Sequence, residues 1–460
     1  MDKKNIQHSA RDIAVRALLE GPARAASALD MAIAAAAEIS SADAALAREI
    51  TLGCIRRKAT LTAVLRAFLQ KPDQRLPETI WKIMSVAMYQ VLFLDRVPDF
   101  AAVNEAVEQT SRMGYPRQRG LVNGVLRSVL RSLSPLERGE VVQAADVIPV
   151  GPSAMRRCSK AIFPNPERDE VGYLAAAGSM PELLAQRWLK RLNTLRAALQ
   201  AAMHACSSPP LVARVNTLKS SVRRTLDSIK AEGGEALPHD NGHSIVLIGG
   251  GLTNLTAFKE GWIQPQDATA TAVSLAAAPQ GGMNVLDLCA APGTKTGHLA
   301  ELMGNRGRIT AVDVTEKLPL IEQGCQRLGV DIVTAWPTDR LGELPAETFD
   351  LVLADVPCTN TGVLARRPEA KWHFTQEFLS DVVRDQQFLI AAAQAFVRAG
   401  GRLAYSTCSM ETEECEALVQ RFVKRYPRMR VISQKVTRPG GAENPAQWHD
   451  GGFVAILQAT

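Results

Sequence analysis

The sequence predicts a multidomain chain: an all-α N-terminal third, a small α/β module, and a C-terminal α/β domain on a doubly wound parallel sheet. Three observations predict it. Apolar residues recur at three- and four-residue spacing as far as Leu133. The period changes after Pro210. From Asn284 short apolar runs alternate regularly with longer amphipathic ones.

In the first 135 residues, Ile13, Ala17 and Leu18, then Leu46, Ile50 and Ile55, mark buried helix faces. Residues 32–37 are an alanine-rich helical stretch. Breaks fall at Gly21-Pro22, Lys71-Pro72-Asp73, Val97-Pro98-Asp99 and Gly114-Tyr115-Pro116, so long helices are joined by short turns, as in a bundle. Residues 136–178 carry Gly151-Pro152 and Pro164-Asn165-Pro166 and read as a linker with room for one short helix. Residues 179–265 give a helix over 180–202, entered through Ser179 and Pro181, and then a small α/β module. The module has strands at 211–215 and 244–248, a helix at 222–232, and a closing Gly249-Gly250-Gly251. In residues 266–460, strands at 285–288, 308–312, 350–354 and 401–406 alternate with helices ending near 302, 328, 397 and 426.

Composition narrows the setting. No apolar run reaches the ~18 residues of a membrane-spanning helix. Met1 to His8 lead into an amphipathic pattern without a signal-peptide core, so a soluble, cytoplasmic protein is expected. Eight cysteines are too sparse for a disulfide scaffold, and without a Cys-x-x-Cys pair no zinc or other metal is expected. No dimerisation signal stands out. Residues 1–135 hold 19 Lys and Arg against 13 Asp and Glu, so the whole net charge of +6 sits in the first third, which suits a phosphate backbone.

The first strand of the C-terminal domain ends in Leu286-Asp287-Leu288-Cys289-Ala290-Ala291-Pro292-Gly293-Thr294-Lys295-Thr296. Small residues on a strand-to-helix turn admit a ligand close to the backbone, and ligands of open α/β sheets bind beyond the carboxyl ends of strands. The next strand ends in Asp313, where a carboxylate can accept hydrogen bonds from a ribose diol. The loop is neither Gly-x-Gly-x-x-Gly nor Walker A, so it lacks a phosphate cradle. That combination suits S-adenosylmethionine.

Two further strands end in cysteine-bearing loops, Asp355-Val356-Pro357-Cys358 and Tyr405-Ser406-Thr407-Cys408-Ser409. A free cysteine commonly fills core space, and Cys54, Cys158, Cys206 and Cys325 are read that way. Two cysteines on successive strand ends, one beside an aspartate, point instead to pyrimidine C5 chemistry. Carbon 5 of cytosine is a poor nucleophile until a thiolate adds to carbon 6, and an acid near N3, such as Asp355, stabilises that adduct. The base must leave its stack to be reached.

Together these motifs resemble the Sun/RsmB branch of the RNA cytosine-5 methyltransferases, in the NOL1/NOP2/Sun superfamily. The likeness lies in residues 286–296, 355–372 and 405–409, in Gln264-Pro265-Gln266-Asp267, and in 448–453. The N-terminal third resembles the NusB-like helical domain of this branch, through 46–57, 89–108 and 121–127. Residues 179–191 and 213–220 also fit. The resemblance implies that Cys408 is the nucleophile and that Cys358 assists product release. It implies a cofactor site of Cys289, Ala290, Ala291, Pro292, Gly293, Thr294, Lys295, Asp313 and Asp355, with Asp339 at the adenine end. It also implies a middle module like an RNA-recognition fold and a cytosine of 16S ribosomal RNA as substrate. The chain departs from the family pattern at Thr294, Thr359-Asn360 and Cys415. A β-branched Thr294 would be strained if its position required positive φ, whereas asparagine tolerates that region.

Arg366, Arg367, Lys371 and Trp372 follow the Pro-Cys loop and are expected to contact RNA, the cations through phosphates and the indole by stacking. The expected activity is therefore methylation of carbon 5 of a 16S rRNA cytosine through a covalent cysteine adduct. The alternatives are the same chemistry on transfer RNA, and a non-catalytic ribosome-assembly protein on the same fold.

Overall fold

The computed structural model describes residues 9–36, 39–71, 73–249 and 251–460, in two compact units. The readings at residues 1–8, Ala37, Pro72 and Gly250 lie outside the described residues.

The first unit comprises Met1–Ser208 and Leu364–Phe374. Its helices are α1 (Ala10–Leu19), α2 (Pro22–Ala35), α3 (Ser41–Arg56), α4 (Lys58–Ala67), α5 (Glu78–Phe93), α6 (Asp99–Arg112) and α7 (Arg119–Ser132). Ser9 and Ser40 cap α1 and α3 by accepting from Asp12 N–H and Asp43 N–H. Ile13, Ala17, Ile50 and Ile55 are buried, as their spacing requires. Helix α5 is apolar on every side and packs against α1, α3, α4, α6 and α7, so it is the axis of the bundle.

Residues 136–178 differ from the expected linker. They form strands β1 (Glu137–Arg138), β2 (Val147–Gly151) and β3 (Ala154–Arg157), in the order β1-β3-β2, and then helix α8 (Glu170–Ala177). Such two- to five-residue strands leave little periodicity to read, and their pairing partners lie further along the chain. Arg57 holds this sheet, donating to the Pro149 and Val150 carbonyls at 3.0 and 2.8 Å while stacking over Phe93. The single helix expected over 180–202 is two, α9 (Glu182–Leu192) and α10 (Leu195–Cys206), broken where Asn193 turns left-handed at φ 66° and Thr194 caps the next helix. Both belong to this unit, whereas the expected 179–265 segment groups that helix with the α/β module.

The second unit comprises Pro209–Val363 and Thr375–Thr460. Its smaller sheet contains β4 (Leu211–Val215), β5 (Ala236–Pro238), β6 (Ser244–Leu247) and β7 (Ile263–Pro265), antiparallel in the order β5-β6-β4-β7. Helices α11 (Val222–Ala231) and α12 (Thr256–Lys259) accompany it, and α13 (Ala268–Ala277) leads into the larger sheet.

That sheet contains β8 (Asn284–Leu288), β9 (Arg308–Asp313), β10 (Val333–Pro337), β11 (Phe349–Asp355), β12 (Val397–Thr407), β13 (Met429–Thr437) and β14 (Gly452–Ala459). The order is β10-β9-β8-β11-β12-β14-β13. Between them run α14 (Thr294–Leu302), α15 (Leu318–Leu328), α17 (Gln376–Gln394) and α18 (Glu416–Arg425), while α16 (Ala370–His373) lies in the segment held by the first unit. Val285, Leu351 and Leu353 face one core with α14 and α15; Leu286, Val352 and Ala354 face another with α17 and α18. The sheet is thus doubly wound, but it is mixed rather than parallel. Strand β14 enters antiparallel between β12 and β13. The helix–strand alternation stops at Tyr426, so the chain returns without a crossover helix, which is what antiparallel pairing needs.

Candidate active site

Sheet register lines up the functional strand ends. Leu288 pairs with Val312 and with Ala354, and Asp355 pairs with Ser406. Neighbouring strands lie about 4.8 Å apart. The loops after β8, β9, β11 and β12 therefore leave one edge side by side.

After β8, Cys289 adopts φ 59°, Ala290 N–H donates to the Val312 carbonyl at 3.0 Å, and Gly293 N–H closes a turn on the Ala290 carbonyl at 2.7 Å. Gly293 has φ 91°, and a Cβ there would lie 3.2 Å from Ile321 Cα, so both backbone and space call for glycine. Thr294 is the first residue of α14 and is spared the positive φ that would have strained it. Asn360 does take the left-handed conformation, at φ 61°.

Asp313 accepts Ala291 N–H at 2.9 Å and Val314 N–H at 2.8 Å, which fixes its carboxylate beside the loop. Asp287 accepts the Thr296 hydroxyl on one oxygen at 2.6 Å, and its other oxygen is buried without a partner. Burial pushes Asp287 up to about 7, against the opposing Thr296 hydrogen bond. A cavity of about 220 Å³ opens here, lined by Gln266, Asp267, Asp287, Cys289, Ala290, Ala291, Pro292, Thr294, Lys295 and Asp355. Gln266 is held by Arg214, whose Nε donates to Oε1 at 2.5 Å, and its Nε2 is a second buried polar atom without a partner. An unmet acceptor and an unmet donor in one wall fit a ligand with an ammonium and a carboxylate, such as an amino-acid moiety.

Asp355 joins this cavity to the cysteines. Its Oδ2 accepts Lys295 Nζ at 2.6 Å and its Oδ1 accepts the Ser406 hydroxyl at 2.6 Å. Burial alone would lower Lys295, but the Asp355 charge and hydrogen bond outweigh it and hold the ammonium above its ordinary range. Cys358 and Cys408 come within 3.0 Å, sulfur to sulfur, and Cys408 Sγ donates to Asn360 Oδ1 at 3.1 Å. The contact with Cys408, together with burial, holds the Cys358 thiol protonated well above the usual range. Gly362 knits the loops together: its N–H donates to the Cys408 carbonyl at 2.9 Å and its carbonyl accepts Gly451 N–H at 2.7 Å. A Cβ at Gly362 would meet the Gly451 carbonyl carbon at 2.6 Å. Chemically, this edge offers a thiol pair, a carboxylate and an open cavity in sequence.

The structure thus brings together Cys289–Lys295, Asp313, Asp355, Cys358 and Cys408. It leaves Asp339 exposed at the end of β10 and outside the cavity lining. Arg367 is exposed and Arg366 half-buried. Lys371 and Trp372 stand elsewhere than expected. Both belong to the first unit, where Lys371 Nζ donates to the Arg56 carbonyl at 2.7 Å and Trp372 Nε1 to the Ile55 carbonyl at 2.9 Å. They cap the last carbonyls of α3. Lys371 is fully buried, and burial lowers its ammonium to about 8. Gln266 and Asp287 lie inside the sequence motifs, and only the fold puts them in the cavity wall. The readable signal for Asp287 is a carboxylate inside the otherwise apolar run 285–288.

Residues 274–456 match the family model described as 16S rRNA methyltransferase RsmB/F, and residues 8–131 match that of the NusB family. The chain is 32% identical over 426 residues to a probable ribosomal RNA small subunit methyltransferase B of Bacillus subtilis, covering 91% of this chain and 89% of that one. It is 29% identical to the ribosomal RNA small subunit methyltransferase B of Escherichia coli O1:K1, covering 91% of each. Among solved structures, a methyltransferase homolog from Pyrococcus horikoshii is 28% identical at a TM-score of 0.53, covering 62% of this chain and 97% of that one. The fold of the protein PH0851 matches over 99% of both chains at a TM-score of 0.71 and 22% identity.

Proposed function

Since the chain belongs to the ribosomal RNA small subunit methyltransferase B family, we propose that it methylates carbon 5 of a cytosine in 16S rRNA, with S-adenosylmethionine as donor and Cys408 as nucleophile. The observation that carries this reading is the convergence of Cys408, Cys358 and Asp355 on one sheet edge beside the cavity that holds Asp287 and Gln266.

The cofactor, when bound, supplies an electrophilic methyl group on a sulfonium. Asp313 and the 289–295 loop would bind it, and Asp287 and Gln266 would satisfy their free polar atoms on its charged end. Asp355, oriented by Lys295 and Ser406, would accept a hydrogen bond from N3–H as N3 of the flipped cytosine becomes protonated in the adduct. The Cys408 thiol proton passes to N3 as its sulfur adds to carbon 6, which leaves an enamine with an electron pair at carbon 5 for bond formation with the methyl group. Release requires loss of the carbon-5 proton to solvent and cleavage of the Sγ–C6 bond, with the proton on N3 returned to the thiol that protonates the departing sulfur. The protonated Cys358 thiol, 3.0 Å from Cys408, is placed to give a proton to the departing sulfur. Arg366 and Arg367, on the 364–374 segment of the first unit, remain our proposed phosphate contacts. An RNA substrate implies work in the cytoplasm, and no helix among the described residues is long and apolar enough to cross a membrane.

The test uses wild type, Cys408→Ala and Cys358→Ala with labelled S-adenosylmethionine and unmodified 16S RNA. Expected are carbon-5 label from wild type, none from Cys408→Ala, and a denaturation-resistant protein–RNA adduct from Cys358→Ala. Label on transfer RNA alone would move the substrate. No label on either RNA or on assembling subunits would leave a binding protein.

A further inference from the structure

The mechanism makes no use of Glu414, a carboxylate that solvent does not reach. Four donors fill its two oxygens. Oε1 accepts Thr359 N–H and the Gln386 amide, each at 2.9 Å. Oε2 accepts the hydroxyls of Thr359 and Ser409. A carboxylate offers roughly four lone-pair sites, so all are used. The origin of the donors is telling. Thr359 directly follows Cys358, and Ser409 directly follows Cys408. Gln386, from α17, also holds the Pro357 carbonyl at 2.8 Å. Glu414 itself is anchored, because the Tyr405 hydroxyl donates to its backbone carbonyl at 2.8 Å.

The ladder between β11 and β12 ends at Asp355 and Ser406, so each cysteine lies beyond the last backbone pair of its strand. Past the sheet, Gly362 ties the loop backbones at the Cys408 carbonyl, and the residues that follow each cysteine converge on Glu414. We propose that Glu414 is a positioning residue for the two-thiol reaction, clamping the Pro-Cys and Thr-Cys loops together and so setting the distance between Cys358 and Cys408. This rests on the methyl-transfer reading for its purpose, but the distance can be read without it. Glu414→Gln keeps the size of the side chain and replaces one acceptor oxygen by an NH₂ group. With its NH₂ toward Thr359 N–H and the Gln386 amide, donors face donors; turned the other way, the Thr359 and Ser409 hydroxyls must stop donating and accept instead, so either way bonds of the clamp are lost or weakened.

The test uses the full chain and phenylarsine oxide, which bridges two close thiols by forming two arsenic–sulfur bonds with loss of water and no change of oxidation state. Wild type is expected to be bridged at Cys358 and Cys408, with Cys358→Ala as the unbridged control. Glu414→Gln is expected to lose about tenfold or more in arsenical affinity, because the second thiol no longer closes the chelate. Its kcat is expected to fall about 100-fold, as for a misplacement near 1 Å. KM for RNA and cofactor affinity stay within about twofold, since those contacts lie elsewhere. If Glu414→Gln does not fold, Ser409→Ala removes one donor and is expected to shift arsenical affinity and kcat in the same direction by less. A wild type that is not bridged overturns the proposal. So do folded variants with wild-type arsenical affinity and kcat. An arsenical difference with no methyl transfer to any RNA would keep the clamp and sink the methyl-transfer reading.

Discussion

Two buried carboxylates at the same sheet edge are treated in opposite ways. Asp287, in the cofactor wall, has one oxygen on Thr296 and the other on nothing, and burial raises it to about 7. Glu414, behind the cysteines, has donors on every lone-pair site. The difference separates a binding wall from a scaffold. A wall keeps unmet polar atoms for its ligand to meet, at a cost in stability of the free protein. A scaffold meets all of them internally and gains a single geometry.

The contrast can be broken most forcefully at the cysteines. Cys408→Ala is expected to lower methyl transfer by about 10⁴-fold or more, since it removes the nucleophile and not merely a contact. Calorimetric cofactor binding should not change; if it does, the two halves of the edge are not separable. Asp355 touches both halves through Lys295 and Ser406, so Asp355→Asn is expected to cost about 100- to 1,000-fold in kcat and also to weaken cofactor binding. An effect on kcat alone would assign Asp355 wholly to the base.

At the wall itself, Asp287→Asn is expected to weaken cofactor binding by about 10-fold or more, the value of one hydrogen bond to a charged group. It should also flatten a pH dependence. Asp287 is raised from 3.8 to about 7 in the folded protein. Its contribution is fully present below 3.8 and is lost as pH rises through about 7, by up to roughly 4 kcal/mol. Chemical denaturation of the cofactor-free protein from pH 4 to 8 should show that decline in wild type and not in Asp287→Asn.

The smallest effect is expected away from the edge. Lys371→Met should destabilise the first unit by about 1–3 kcal/mol, since it leaves the Arg56 carbonyl with only the weak Cys206 thiol donor at 3.3 Å. The salt dependence of RNA binding should stay as in wild type. A shallower salt slope would instead return Lys371 to the phosphate contacts.

Much of the edge could be read from the chain because it is local. Residues 286–296 announce a strand, a small-residue turn and a helix within one stretch, and each cysteine loop follows directly on an apolar strand. What escaped is non-local. Lys371 and Trp372 look like any basic-aromatic loop until α3, over 300 residues earlier, supplies the carbonyls they cap. Strand β13 is hard to see because it is an exposed edge strand with little apolar alternation, whereas the start of β14 falls in the 448–453 motif. The expected strain at Thr294 vanished through a shift of one residue, since Gly293 takes the left-handed turn. Glu414 reads as an ordinary acidic helix start, and only the fold reveals four donors around it.

The eleven-residue stretch Leu364–Phe374 has a practical corollary. A fragment ending at Ser208 would carry the bundle's own sequence yet lack the two caps that close α3. Dissection of this protein at residue 208 should therefore yield a frayed helical fragment, and adding the 364–374 peptide in trans is the natural way to mend it.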